Sequence, residues 1–475
     1  MGDALICYPT LIANDNWIHL TPADGLFRCG RQDISGSLAP KETISAEDRP
    51  RVCWLNYAGL RTLMLCTGEL TVTELQSHLR ADYGIDIGDE ALWRFLTDAE
   101  RQHLIAFQTE PRTRKPRLHV TGHPEYYVPV HASIEITATC NLHCRHCYNA
   151  FSAEEDPLPW ETLRCVLGSW AQMGLAGVEL TGGEPLMHEE FLDILEFCTH
   201  KFSKVGVITN GTLIDRRFVD SVSNWANQLL FNVSLDGSTA SRHDAIRGHG
   251  SFDRTVAAIR LLRAAGIWVR AGMTTATYNI DDLEATLELA ASLGVNDFTA
   301  TPVHAFGRGK QVAWGEVDEA QAVGYIYRAL QRHPEVFHPI EIVFPELNDR
   351  LGNCGIGTKN IMVSPTGKLR ACLYYAESEY VGDLRTQTLT EVFRSDAFRA
   401  LATLRAPSPT TCAGCRYETF CHNCIAKAMT VLEKEKRLCR WAYSTSFLSA
   451  HSRFRRLRYE AVDPIFRGQS VGQSV

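Results

Sequence analysis

Between residues 131 and 315, six short β-prone runs alternate with amphipathic helical stretches, and that alternation leaves few folds open. The runs are SIEIT (133–137), GVELT (177–181), KVGVIT (204–209), LLFNVSL (229–235), IWVRAGM (267–273) and DFTATPV (297–303). Between them, segments such as PWETLRCVLGSWAQMG, EEFLDILEFCTHK and FDRTVAAIRLLRAAG repeat apolar residues every three or four positions, the period of a helix with one buried face. Gly174, Gly266 and Gly294 stand where several of these helices must stop. Strand–helix units in series return to one sheet through right-handed crossovers, so a parallel α/β barrel or partial barrel is expected over 131–345. In such barrels the chemistry sits at the C-terminal ends of the strands.

The flanks differ in kind. A chain of 475 residues is long for one core, which predicts two or three domains. Residues 1–112 read as a small separate domain, with WIHLT and LFRCG as strands and three helices from Leu55, Thr71 and Asp89 onward. Thr71 and Asp89 are the expected N-terminal caps. Residues 113–130 read as a linker, and the Pro-rich, basic PRTRKPRLHVTGHP (111–124) as a linker or an exposed hairpin. Residues 346–450 are cysteine-rich and irregular, and 451–475 read as a polar tail. No stretch approaches the roughly 18 apolar residues of a membrane span. The N-terminus lacks a secretory pattern, and Ile6 stands where a myristoylation site needs Ser or Thr, so a cytoplasmic protein with no membrane partner is expected.

Sixteen cysteines are many for such a compartment, where clustered thiols serve as metal or catalytic ligands more often than as disulfides. Cys7, Cys29, Cys53, Cys66, Cys165 and Cys198 are scattered singly and are expected to be small buried hydrophobes. Cys140, Cys144 and Cys147 instead form C-x3-C-x2-C directly after the first barrel strand. Three thiolates on one tight loop can hold three irons of a [4Fe–4S] cube and leave the fourth open to a small molecule. A zinc site completed by His143 or His146 fits the loop as well, because structural zinc takes four ligands.

Further along, successive strands end in TGGEP, ITNGT and VSLDG, each at the position where barrel chemistry gathers. Together with the cysteine loop, these ends resemble the radical S-adenosylmethionine (SAM) superfamily over residues 131 to about 315. The resemblance implies SAM bound at the open iron of a [4Fe–4S] cluster held by Cys140, Cys144 and Cys147. It implies Tyr148 beside the adenine, and Gly182, Gly183 and Glu184 at the amino group. Thr209, Asn210, Ser234 and Asp236 fall toward the ribose and carboxylate, and Val303 is a candidate for adenine packing. Taken one at a time, GGE, NG and DG are ordinary turn formers; their order along one barrel carries the resemblance.

A second cysteine field runs C-x12-G-x4-C from Cys354 through Gly367 to Cys372. It continues as C-x2-C-x5-C-x2-C over Cys412, Cys415, Cys421 and Cys424, with Cys439 after fourteen more residues. A zinc ribbon shares paired C-x2-C. The whole field, after such a barrel, resembles the SPASM extension, although the usual final C-x3-C is one residue shorter here. That resemblance implies two auxiliary iron–sulfur clusters, [4Fe–4S] in type. Cys412, Cys415, Cys421 and Cys439 would hold one; Cys354, Cys372 and Cys424 would hold the other, with Asp349, another residue, water or a substrate thiolate in its fourth place.

The N-terminal pattern resembles a PqqD-like, winged-helix peptide-recognition domain, which takes a leader peptide as an added strand. A DNA-binding winged helix is the competitor, but residues 1–110 carry sixteen acidic and nine basic residues, the wrong balance for gripping phosphates. No nucleic-acid partner is expected. The three parts together resemble maturases of ribosomally made peptides, in particular the group that places thioethers in the small subunit of quinohemoprotein amine dehydrogenase. The resemblance implies a Cys-containing peptide or small subunit as substrate and a flavodoxin or ferredoxin as electron donor. Carbon–carbon cross-linking is an alternative, as is formylglycine formation, for which sulfatase maturases place an acid where this chain has Leu373. A non-enzymatic iron–sulfur redox sensor is the third. Asp236, His304, Tyr374 and Tyr375 are the candidates for a general base.

Overall fold

The computed structural model describes residues 7–11, 16–22, 30–33, 51–113, 118–148, 157–175, 177–312, 316–337, 354–375 and 379–459. Two compact units divide the chain, the first built mainly from residues 1–130.

In the first unit, β1 (Tyr8–Leu11) pairs antiparallel with β5 (Ile105–Gln108). A four-stranded sheet takes the order β3 (Gly30–Asp33), β4 (Arg51–Leu55), β2 (Asn16–Leu20), β6 (Leu118–Gly122). Helices Tyr57–Leu65, Val72–Tyr83 and Asp89–Arg101 bury Leu63, Leu75, Leu79, Phe95 and Leu96 in one core. Thr71 caps its helix in a capping box with Glu74, as its position predicts. At the next helix the cap is Gly88, and Asp89 falls one residue inside, where a carboxylate complements the helix dipole. The expected linker is corrected in part: Leu118–Gly122 is a strand parallel to β2, and its short basic surroundings hid it. LFRCG lies largely outside the described residues.

The second unit holds all six predicted barrel strands in the predicted order. They are β7 (His131–Thr137), β8 (Gly177–Gly182), β9 (Lys204–Thr209), β10 (Leu229–Ser234), β11 (Trp268–Thr275) and β12 (Asp297–Pro302). Each is parallel to the next in sequence, with helices between. Alternation within strands divides two environments: Val205, Val207 and Val233 are buried, whereas Ile208, Asn232 and Ser234 face a central cavity. Each fully buried valine contributes roughly 1.5–3 kcal/mol relative to exposure.

The sheet does not stop at the expected boundary near residue 346. β13 (Asn360–Val363) lies parallel to β7 on the side away from β8. β14 (Lys368–Arg370) and β15 (Tyr380–Asp383) follow antiparallel, making nine strands in one sheet. Helices from Leu389 to Ala450 then pack around Ile425, Leu432, Trp441 and Phe447. The start of the expected tail belongs to this core: the Tyr375 hydroxyl and His451 Nε2 lie 2.9 Å apart, and Leu438 bridges Tyr459. Residues 460–475 lie outside the described part. Among the described residues no helix is long and apolar enough to cross a membrane.

Candidate active site and cysteine centres

A cavity of about 580 Å³ opens at the C-terminal ends of the barrel strands. Cys140, Cys144, Cys147, Tyr148, Gly182, Gly183, Thr209, Asn210, Ser234 and Val303 all line it. Strands β7 to β12 thus bring residues as far apart in sequence as Cys140 and Val303 to one wall. Among the described residues no three Cys, His, Asp or Glu groups converge on a point. A cube-shaped cluster takes its thiolates at separate corners, so ligands ringing a cavity on one loop fit it.

The cysteine loop is held from three sides. The Gly183 N–H donates to Thr137 O at 2.7 Å and the Glu184 N–H to Thr139 O at 2.8 Å. A Cβ on Gly183 would lie 2.2 Å from Thr139 O, so this glycine serves the approach of two protein backbones. After β12, the Arg308 N–H donates to Cys147 O at 2.9 Å and its Nε to Cys144 O at 2.8 Å. Asn210 Nδ2 donates to Asn141 Oδ1 at 2.9 Å, inside the loop itself.

Two expected SAM contacts stand behind the wall. Glu184 is buried, and its oxygens accept from Thr209 Oγ1 at 2.7 Å, Asn210 N at 2.8 Å and Leu186 N at 3.3 Å. Asp236 is fully buried and accepts from Arg247 Nε at 2.6 Å and Thr274 N at 2.8 Å, with His146 Nε2 at 2.6 Å. Burial opposes that charge, but Arg247 and His146 hold the carboxyl well below the usual carboxylate range. His146, an expected alternative zinc ligand, is thereby committed to Asp236 through one ring nitrogen.

The sequence reading missed Glu135, behind the wall, and Arg247, on it. Glu135 accepts from the Tyr148 hydroxyl at 3.1 Å and pairs with Arg370 on β14, both buried. Arg247 lines the cavity from the end of helix Ala240–Arg247. His304 and Tyr374, both general-base candidates from the sequence, have ring centroids 3.8 Å apart at a tilt of 48°, and both line the cavity with Leu373. Burial and then Lys427 push the His304 imidazole down to about 4, so it is neutral at pH 7. Glu135 and Arg247 belong to no spacing motif; each becomes visible only when strands and loops meet.

The seven later cysteines fall into two neighbourhoods. The Cys421 thiol feels Cys439, Cys415 and Cys412, and Cys424 more weakly. Cys372 feels Cys354 and Cys424. Backbone N–H groups aim at sulfur throughout: Ile425 and Ile356 at Cys354, Tyr374 at Cys372, Lys427 at Cys424, Tyr417 at Cys415 and Ala442 at Cys439. Burial pushes Cys372 up to about 12 and Cys412 up to about 11. Such thiols stay protonated until a cation replaces the proton, while the aimed N–H groups favour a thiolate once formed. Both features fit iron–sulfur ligation. Asp349 lies outside the described residues. Of the scattered cysteines, Cys66 and Cys198 are buried as expected, Cys7 is half-buried, and Cys165 is exposed, a correction for that residue.

Comparison with known proteins adds a second line. Residues 134–290 match the radical SAM superfamily, and residues 354–424 match an iron–sulfur cluster-binding domain, SPASM. The chain is 27% identical over 395 residues to the antilisterial bacteriocin subtilosin biosynthesis protein AlbA of Bacillus subtilis, covering 82% of this chain and 88% of AlbA. It is also 27% identical over 321 residues to the AdoMet-dependent heme synthase of Methanosarcina barkeri, covering 62% and 90%. Streptococcus suis SuiB bound to its precursor peptide SuiA shares the fold, with a TM-score of 0.54, 13% identity and coverage of 82% and 91%.

Proposed function

The chain being a radical SAM enzyme with a SPASM iron–sulfur domain, related to peptide maturases, we propose that it joins a cysteine sulfur to a carbon of a ribosomally made peptide as a thioether. The observation that carries the reading is the shared wall. The hairpin bearing Cys372 also contributes Leu373 and Tyr374 to the cavity that Cys140, Cys144 and Cys147 line. A peptide seated there faces the first cysteine loop and lies beside the Cys354, Cys372 and Cys424 group at once.

When bound, SAM and its cluster supply a carbon-centred radical able to remove an unactivated hydrogen. In this reading Cys140, Cys144 and Cys147 hold that cluster, and Tyr148 packs along the adenine. Thr209, Asn210 and Ser234 border the ribose and carboxylate, and the Gly182–Gly183 backbone borders the amino group. Glu184 and Asp236 act one layer back, keeping strand ends and cysteine loop in register. Cys412, Cys415, Cys421 and Cys439 hold one auxiliary cluster. Cys354, Cys372 and Cys424 hold the other, with a place for the substrate thiolate. Forming each thioether would remove two hydrogens from the peptide: one as an atom, taken up as 5′-deoxyadenosine forms, the other as a proton plus an electron, for which clusters held by the later cysteines would be the acceptors. A flavodoxin or ferredoxin supplies the electron that begins each cycle.

Several features support this over its neighbours. Likeness to AlbA extends over most of this chain, whereas that to the heme synthase covers 62% of it. Leu373 presents no carboxylate at the place where formylglycine chemistry wants one. The acidic N-terminal domain suits a peptide, and its sheet ends in β3 and β6 among the described strands, offering edges for an added strand. The quinohemoprotein small-subunit group remains the specific substrate class we favour.

The test is anaerobic mass spectrometry of a Cys-containing peptide encoded beside the gene, incubated with reconstituted enzyme, SAM and a reductant. We expect loss of two hydrogens per link, with the thiol no longer alkylatable. The same mass loss with an alkylatable thiol would replace the thioether with a carbon–carbon link. Absence of 5′-deoxyadenosine would return the protein to the sensor reading.

A further inference from the structure

Arg247 and Asp236 form a buried ion pair against the cysteine loop, and the proposed chemistry leaves Arg247 without a role. Asp236 ends the fourth barrel strand's turn and is fully buried; Arg247 ends helix Ala240–Arg247 and is 8% exposed. Arg247 Nε donates to Asp236 Oδ2 at 2.6 Å, while its Nη1 lies 3.9 Å from Cys144 Sγ. The carboxylate is fixed in turn by the Thr274 N–H on β11 at 2.8 Å and by His146, between Cys144 and Cys147, at 2.6 Å. The guanidinium therefore cannot swing away from the sulfur without breaking its bond to a buried carboxylate that a strand and the cysteine loop hold in place.

As a source of stability the pair is unremarkable, because desolvating both charges offsets most of their attraction. Its electrostatic consequence is larger. A cluster becomes more negative on reduction, and its potential follows nearby charge, hydrogen bonds to sulfur and solvent exposure. A fixed cation in a dry site beside one ligand sulfur favours the reduced form. The opposing charges are Asp236, which is turned into the pair, and Glu184, whose oxygens are occupied by Thr209, Asn210 and Leu186. Arg247 acts on Cys144 more strongly than Asp236 does. Arg308 also reaches this loop, but through the Cys144 carbonyl and from a half-buried position where water screens its charge.

We propose that Arg247, clamped by Asp236, sets the reduction potential of the cluster at Cys140, Cys144 and Cys147 by holding a fixed positive charge against Cys144. Arg247 is in this sense a positioning and tuning residue. The inference rests on reading those three cysteines as cluster ligands.

Potentiometric titration of the full-length reconstituted enzyme, followed by electron paramagnetic resonance, tests it. The first cluster is identified as the signal that changes shape when SAM is added. In Arg247→Gln, the ratio of reduced to oxidised first cluster at the wild-type midpoint should fall about tenfold, equivalent to ~59 mV for a one-electron couple. Arg247→Lys should recover most of that loss, and Arg308→Gln should fall much less. Should Arg247→Gln not fold, the double variant Arg247→Gln/Asp236→Asn removes both charges, and the shift should keep its direction. An intact cluster with an unmoved midpoint overturns the proposal, including the case where only SAM affinity falls. Equal behaviour of the Lys and Gln variants overturns it too. If wild-type enzyme shows no SAM-responsive signal, the radical SAM reading itself fails and the inference with it.

Discussion

Asp236 gathers a helix, a strand and the cysteine loop onto one carboxylate, through Arg247, Thr274 and His146. Removing its charge leaves a buried guanidinium unpaired, so Asp236→Asn should cost about 3 kcal/mol in chemical denaturation at pH 7. The sign of the pH dependence follows from its lowered native pKa. The unfolded carboxyl titrates near 3.9, so the contribution is complete above about pH 4 and is lost as pH falls toward the native value. The gap between wild type and variant should therefore be constant from pH 5 to 7 and narrow in more acid solution. A gap unchanged at pH 3 would mean that the native carboxyl titrates no lower than the unfolded one. Neither the charge pair nor its burial was legible in VSLDG, where Asp236 looks like any turn-forming aspartate; His146 and Arg247 come from segments with no shared spacing.

At the scale of elements, the barrel strands were readable because β-prone runs alternate with helical periods, and both patterns are local. The edge strands were less so. Leu118–Gly122 is too short and too basic in context to announce itself, and β13 to β15 follow a stretch of irregular sequence. The GGE turn also has a packing role that its motif does not announce. Its second glycine lets β8 pass against the cysteine loop, with no room for a Cβ beside Thr139 O. Gly183→Ala should therefore displace that loop and lower iron at the first site, while the later cysteines keep theirs. Iron and sulfide analysis of the purified variant checks this: a loss of roughly four irons per chain is expected, the content of one [4Fe–4S] cluster. Full iron content would show that the loop can yield without losing its ligand geometry.

Across the molecule, two groups of later cysteines sit in one helical core built onto the sheet that carries the cavity. In the proposed function that arrangement would separate starting the radical from using it. Cys412→Ala and Cys372→Ala should each remove iron from a different auxiliary group, and each should leave SAM cleavage in place. Release of 5′-deoxyadenosine should persist in both variants while the cross-linked peptide disappears. Chromatography of the nucleoside beside mass spectrometry of the peptide reads the two outcomes separately. Loss of nucleoside release in either variant would mean that the auxiliary groups are needed for the first step, or for the fold that supports it.

Local periodicity determined the order of the barrel strands, and close spacing the loop bearing three cysteines; the division of the seven later cysteines came only from the SPASM resemblance, since it groups Cys424 with residues far from it in the chain. Tertiary structure alone decided which polar residues face the cavity and which stand behind it. Glu184 and Asp236 carry the right chemistry for ligand contact, yet buried donors from neighbouring strands satisfy them first. A carboxylate's role depends on which donors reach it, and Thr209, Thr274 and His146 lie 25, 38 and 90 residues away from theirs in the chain. The same reason hid Arg247: its place beside Cys144 depends on the crossing of a helix end and a loop that are neighbours only after the sheet has formed.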